Sequence, residues 1–213
     1  MVRRIKKTVK SKPSRERKKL IVVGTEGNNK TEELYLRYIE KKQSIYHFIF
    51  APGNETDPEN IVSNTVRKAK EEELSQKNGD MAISLFDLDL DNSKEEQLIK
   101  AKKLAVSKGI TLYSSNPCFE IWYIEHFGYT SKPFNSSADV IKYLKKYIPD
   151  YTKNMISYDQ IYSKTQEAII NCIQLDNHHK KVGEKLLPEY YNPQTEVYKL
   201  IQKIVKGDDT AKK

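Results

Sequence analysis

Four short apolar runs rich in β-branched and aromatic residues recur along the chain, and a segment with helical spacing follows each. This alternation constrains the fold more than any other feature. The runs are Lys19–Gly24 (KLIVVG), Tyr46–Gly53 (YHFIFAPG), Met81–Asp89 (MAISLFDLD) and Ile110–Ser115 (ITLYSS). Runs of this length, closed by Gly or Pro-Gly, read as strands buried on both faces. Between them lies helical patterning. In Asn29–Lys42, Leu34, Tyr35, Tyr38 and Ile39 share a face, and Asn28 or Asn29 supplies a cap. A charged helix is expected over about 57–76, closed by a turn at Lys77–Asp80. Ser93–Gly109 opens on a Ser93/Glu96 capping box and ends on Gly109. Pro117–Phe127 carries Pro117 at its first position and Asn116 as a cap.

Strands alternating with helices predict an α/β fold, a parallel sheet of about four strands flanked by helices. Beyond residue 136 the spacing turns mostly helical, over Ser137–Ile148, about 158–175, and Pro193–Lys206. The expected organisation is a basic, flexible tail (1–18), an α/β core (19–135), a helical C-terminal extension packed on that core (136–206) and a frayed end (207–213).

A chain of 213 residues with 38% hydrophobic and 31% charged side chains can bury one sizeable core. No apolar run approaches the roughly 20 residues of a membrane span. The basic N-terminus lacks the apolar stretch of a secretory signal. Two cysteines, Cys118 and Cys172, are too few for a disulfide framework or a cysteine-based zinc site. The expectation is a soluble, cytoplasmic protein with no membrane partner. Its net charge of +8 is uneven. Residues 1–19 hold ten Lys or Arg and one acid, for +9, and the remainder, with 27 basic and 28 acidic side chains, carries −1. Arg3, Arg4, Lys6, Lys7, Arg15 and Arg17 are candidate phosphate contacts. The alternative is a solvated terminus that touches nothing specific.

In an open α/β sheet, ligands gather outside the carboxyl ends of the strands. Acids fall at those ends here. Glu26 follows the first strand, Asp87, Asp89 and Asp91 follow the third, and Glu120 opens the helix after the fourth. Such oxygen ligands suit Mg²⁺ or Mn²⁺. Each acid also has a plainer reading. A D-x-D-x-D run can be a solvated turn, and Glu120 suits the dipole of its own helix. Lys30 and Thr31 stand at a helix N-terminus, where they could contact phosphate or simply cap. The adjacent histidines of Asn177–Lys180 point apart on regular structure and make no metal site. The fourteen tyrosines are read first as packing residues.

Four stretches carry a family resemblance. "VVGTEGNNKTEELYL" resembles a strand followed by E-G-x-x-T-E, with one extra residue between Gly27 and Thr31. "LFDLDLD" resembles a strand ending in F-D-x-D. "SSNPCFEIWYIEHF" resembles N-P-x-F-E-x-W-x-x-x-H-F, the most specific of the set, and "YNPQTEVYKLI" resembles a closing N-P-x-T-x-V-x-x-L motif. In this order, from about Lys19 to Ile201, they resemble RloB-like proteins with a Toprim-like core.

The resemblance implies roles for the acids. Glu26 would act as general acid or base near a scissile phosphate. Asp87 and Asp89 would bind Mg²⁺, with Asp91 a further ligand. It also marks Glu120 and His126 as catalytic candidates. Those two lie six residues apart, roughly 120° from a shared helical face, and His126 can equally be a hydrogen-bonded helix-end histidine. Leu88 stands where many relatives are expected to carry Arg, which removes a phosphate contact.

The implied activity is Mg²⁺-dependent, nuclease-like phosphodiester processing on nucleic acid in prokaryotic anti-phage defence. No G-x-x-x-x-G-K-[ST] loop is present, so ATP hydrolysis would come from a separately encoded ATPase. Two other readings stay open. One is a non-catalytic nucleic-acid-binding or partner-docking module. The other is a nucleotide-processing enzyme, either of them monomeric or oligomeric.

Overall fold

The computed structural model describes residues 17–27, 30–53, 55–90, 95–153, 158–182 and 191–211. Five strands form one sheet in the order β2-β1-β3-β4-β5: β1 (Lys19–Gly24), β2 (Tyr46–Phe50), β3 (Met81–Asp87), β4 (Thr111–Asn116) and β5 (Gln194–Thr195). The first four are parallel, and β5 runs antiparallel along β4. The mixed α/β architecture read from the four apolar runs is therefore present. The fifth strand is a correction. The sequence spacing puts Gln194 and Thr195 in a helix starting at Pro193, but they pair with Asn116 and Ser115, and α8 spans Val197–Ala211. Thr195 Oγ1 lies 2.8 Å from Ser115 Oγ, and the Glu196 N–H donates to the Ser114 carbonyl. A two-residue edge strand leaves almost no periodicity to read.

Helices α1 (Thr31–Lys42), α2 (Pro58–Glu71) and α3 (Glu95–Lys108) make the crossovers. Ile21, Val23, Ile83 and Leu85 pack on one face with Tyr35, Leu36 and Ile39 of α1. Val22 and Ala82 pack on the other with Val62 of α2 and Ala101 and Ala105 of α3. Thus α1 leaves β1 on one face while α3 leaves β3 on the opposite face. The neighbouring strands β1 and β3 form a topological switch point, where their carboxyl ends open a crevice.

The α1 face is closed by α4 (Glu120–Glu125), α5 (Ser137–Leu144), α6 (Tyr158–Tyr162), α7 (Thr165–Val182) and α8. Trp122, Tyr123, Val140, Leu144, Ile169, Leu200 and Ile204 share one apolar cluster with the strands. Asp57 caps α2, accepting from the Glu59 and Asn60 N–H groups, and Gly109 ends α3 at φ +68°. The fourth helix is shorter than expected. It starts at Glu120 rather than Pro117, and Phe119, which makes no side-chain cap, precedes it. Asn116 instead donates to the Tyr191 carbonyl at 3.1 Å. The helix expected over 158–175 is broken into α6 and α7, and α7 extends to Val182. The caps expected at Asn28, Asn29 and Ser93 lie outside the described residues.

Helix α2 approaches β1 closely at Gly24. A Cβ there would sit 2.0 Å from Thr65 Oγ1 and 3.1 Å from the Ile61 carbonyl oxygen. Thr65 Oγ1 is already engaged with the Ile61 carbonyl and Ser84 Oγ, at 2.8 and 2.9 Å. Gly24→Ala should therefore lower stability by about 1–3 kcal/mol through overpacking, read as a shifted urea midpoint. Adding Thr65→Ala should recover part of that loss, whereas strictly additive losses would contradict the close approach.

Candidate functional site

Side chains alternate across β3, so Asp87 points the same way as Ile83 and Leu85, towards α1 and α4. It is 6% exposed. Two further carboxylates enter the same space. Glu120, the first residue of α4, is fully buried, and Glu32, the second residue of α1, is 2% exposed. Glu26, two residues beyond β1, joins them from the loop.

The charges of the four acids act on one another. Burial pushes the Asp87 carboxyl well above its usual range, and Glu32, Glu120, Glu26 and Asp89 push it further. Burial likewise raises Glu32 to about 8, with Glu120 and Glu26 adding to it while its own backbone N–H and Lys153 oppose. Carboxylates crowded in this way are held protonated, or else require a cation.

The segment after α5 closes the cluster. The Tyr151 hydroxyl donates to Glu120 Oε1 at 2.7 Å, and Thr31 Oγ1 donates to the Lys153 carbonyl at 3.1 Å. Those two bonds pin residues 151–153 across the start of α1 and α4. Burial works against the Lys153 ammonium, but Glu120, Asp87 and Glu32 outweigh it and raise its pKa. Glu120 Oε2 is buried and has no hydrogen-bond partner among the described residues. The neighbouring Cys118 thiol is held protonated by burial and by Glu120 and Asp87.

Asp89 sits at the rim, exposed, at φ +49°, a left-handed conformation that Asp tolerates better than most residues. Its N–H donates to the Pro117 carbonyl, and its Oδ1 accepts from Ser137 Oγ at 3.0 Å, at the start of α5. Leu88 turns to the opposite face and packs with Ile61, Phe86 and Leu98. A residue with that orientation anchors the strand end between α2 and α3. Among the described residues, no three His, Cys, Asp or Glu side chains form a ready-made metal shell. Asp91 lies outside the described residues.

Of the remaining candidates, His126 and Arg17 lie elsewhere. His126, at the far end of α4, is 1% exposed. Its Nδ1 donates to the Trp122 carbonyl at 2.7 Å, and burial lowers its pKa to about 3. It is not among the groups acting on Asp87 or Glu32. Arg17 pairs at 3.2 Å with Asp80, which also accepts from the Leu20 and Ser75 N–H groups, at the amino end of the sheet. Lys30 is exposed just before α1. Arg3, Arg4, Lys6, Lys7 and Arg15 lie outside the described residues. Sequence reasoning missed Glu32, Tyr151 and Lys153. Glu32 stands inside the quoted T-E pair, but an acid in a helix's first turn is so common that it carries no signal. Tyr151 and Lys153 come from an irregular segment and reach the site only through folding.

The sequence model for RloB-like proteins matches residues 21–204. The chain belongs to the RloB-like family. Its matched span runs from within β1 to about the middle of α8, so all of the sheet but Lys19 and Leu20, and every acid of the cluster, fall inside this RloB-like region. No curated protein and no solved structure matches the chain. Among the described residues no helix is long and apolar enough to cross a membrane.

The cluster carries a pH signature. A folded Glu32 that titrates near 8, against 4.5 in the unfolded chain, keeps a proton that unfolding releases, so its contribution to stability falls as pH rises across that window. Glu125, raised to about 8 by burial, acts in the same direction. Buried His126 acts oppositely, but only below its unfolded value of 6.5. Thermal unfolding midpoints should therefore fall between pH 6.5 and pH 8. Glu32→Gln should flatten that fall and unfold at a higher temperature than the wild type at pH 8, and parallel curves would contradict the cluster.

Proposed function

We propose that this RloB-like protein is an Mg²⁺- or Mn²⁺-dependent, nuclease-like phosphodiester-processing enzyme acting on nucleic acid. The supporting observation is the meeting of Glu26, Glu32, Asp87 and Glu120 at the switch point, with the buried Glu120 Oε2 lacking a hydrogen-bond partner among the described residues. An all-oxygen donor set fits a hard divalent cation, and Mg²⁺ commonly takes only one or two carboxylates, filling its shell with waters and substrate phosphates. Asp87 and Glu120 are the residues to hold it, with Asp89 at the rim. Bound there, the cation would supply charge stabilisation at a phosphoryl oxygen and a more acidic water.

This chain's own groups take the remaining roles. Glu26, on the loop and less enclosed than its partners, moves the proton at the phosphate. Tyr151 orients Glu120, and Lys153 balances charge where the phosphate enters. The Toprim-like likeness of the core and the association with phage defence belong to the same proposal, as does a separately encoded ATPase.

Calorimetry with Mg²⁺ and Mn²⁺, paired with cleavage assays on single- and double-stranded DNA and RNA, tests the reading. Asp87→Asn should abolish both metal binding and cleavage. Glu26→Gln should keep metal affinity within a few-fold while kcat falls roughly a hundredfold or more. A wild-type protein that binds no divalent cation and cuts none of these substrates would end the proposal.

A further inference from the structure

Helices α4 and α5 both start at the acid cluster, α4 with Glu120 itself and α5 through the Ser137–Asp89 hydrogen bond. Both finish at a common surface whose chemistry differs sharply from that of the cluster. Phe127, just past α4, stacks on Tyr147, just past α5, with ring centres 5.1 Å apart and planes 10° from parallel. Tyr143 meets Tyr147 edge-on at 5.9 Å. Three ammonium groups stand over these rings. Lys146 lies 4.6 Å and Lys132 6.0 Å from the Tyr143 centre, and Lys164 lies 4.8 Å from the Phe127 centre.

Two properties set this surface apart from an ordinary solvated face. The first is that its ammonium groups converge on one set of rings, and none of Lys132, Lys146 and Lys164 is in an ion pair among the described residues. Residues 132–148 hold four lysines and a single acid, in a chain whose total charge beyond residue 19 is −1. The second is that Phe127 and Tyr143 pack on the core only in part, and Tyr147 stands outside it. Tyr147 is 41% exposed, so the stacked pair ends on an open aromatic face.

We infer that this surface is a single-stranded nucleic-acid track leading to the acid cluster, in which the lysines hold phosphates and the Tyr147 face stacks a base. Unpaired cations beside open aromatic faces are the combination that binds single strands with little regard to sequence. The helical rise puts the Phe127–Tyr147 stack about 10–15 Å from the residues that start the two helices. That spacing lets a strand gripped at the stack reach the carboxylates. The inference rests on the proposed phosphodiester chemistry for its purpose, but the surface stands or falls on binding alone.

The test is fluorescence anisotropy of labelled oligo-dT and oligo-U with the full chain in EDTA, across a salt series. Four proteins are compared: the wild type, Lys132→Gln/Lys146→Gln/Lys164→Gln, Tyr147→Ala, and a charge-matched control on α3, Lys100→Gln/Lys103→Gln/Lys108→Gln. The surface triple should lower the slope of log affinity against log salt by about 2, at roughly 0.7 per phosphate contact on a single strand. The α3 triple should leave it near wild type. Tyr147→Ala should weaken binding roughly tenfold at every salt concentration without changing the slope, and Tyr147→Phe should restore it.

Equal losses from the two triples, or none from either, would overturn the surface, leaving the basic tail or an acidic protein partner to account for those lysines. Tighter binding of oligo-U than oligo-dT, or the reverse, would assign RNA or DNA within the same surface. Calorimetric Mg²⁺ affinity should be unchanged in the surface triple. A protein that binds strands through this surface yet binds no metal would keep this inference and lose the enzymatic one.

Discussion

Each residue added to β3 turns the next side chain to the opposite face of a sheet covered on both sides, and the site depends on that constraint. Met81 to Asp87 pass through the centre of the molecule, so a polar residue at the strand's end must still land against a helix. Leu88 goes to the α2–α3 face and packs there. Asp87 goes to the α1–α4 face, where Glu32 and Glu120 already point inward. Burial raises the free energy of all these charges together. The cluster is therefore stable only when protons or a cation reside in it, and that condition couples the integrity of the fold to what the site binds.

The position of the acids follows from the connectivity. Because α1 leaves β1 on one face and α3 leaves β3 on the other, the loops diverge and leave room between the carboxyl ends of two adjacent strands for side chains from α1 and α4. Asp89, in a left-handed conformation, carries the chain out of this opening while its side chain ties it to α5. The 151–153 segment then spans the mouth through Tyr151 and the Lys153 carbonyl. The C-terminal helices thus supply part of the apolar core on the α1 face and also the outer wall of the site.

Charge is sorted on the folded surface in a way the linear sequence conceals. Beyond residue 19 the chain is nearly neutral, yet α4 and α5 run from a pocket of carboxylates to a face of unpaired lysines over aromatic rings. Two short helices that share a start and a finish place opposite charges at their opposite ends. A polyanion drawn to one end meets the acids at the other only with compensating cations.

Much of this was legible in the residues themselves. The four parallel strands, the Gly109 end of α3 and the strand-end positions of Glu26, Asp87 and Glu120 follow from local patterning, because period, turn chemistry and helix termini are properties of neighbouring residues. The family motifs named the same segments. Other features had no local signal. β5 is two residues long and exists only because β4 offers an edge. Asn116 turned to the Tyr191 carbonyl instead of capping α4, and His126 was buried against Trp122 because its helix faces the core. Glu32 looked like any first-turn acid until α1 packed over Asp87, and Tyr151 and Lys153 are distant in sequence from everything they touch. The sequence determined which segments are strands and helices and where their acids lie along them. Only the tertiary structure decided which acids meet, since buried charges interact through space and not along the chain.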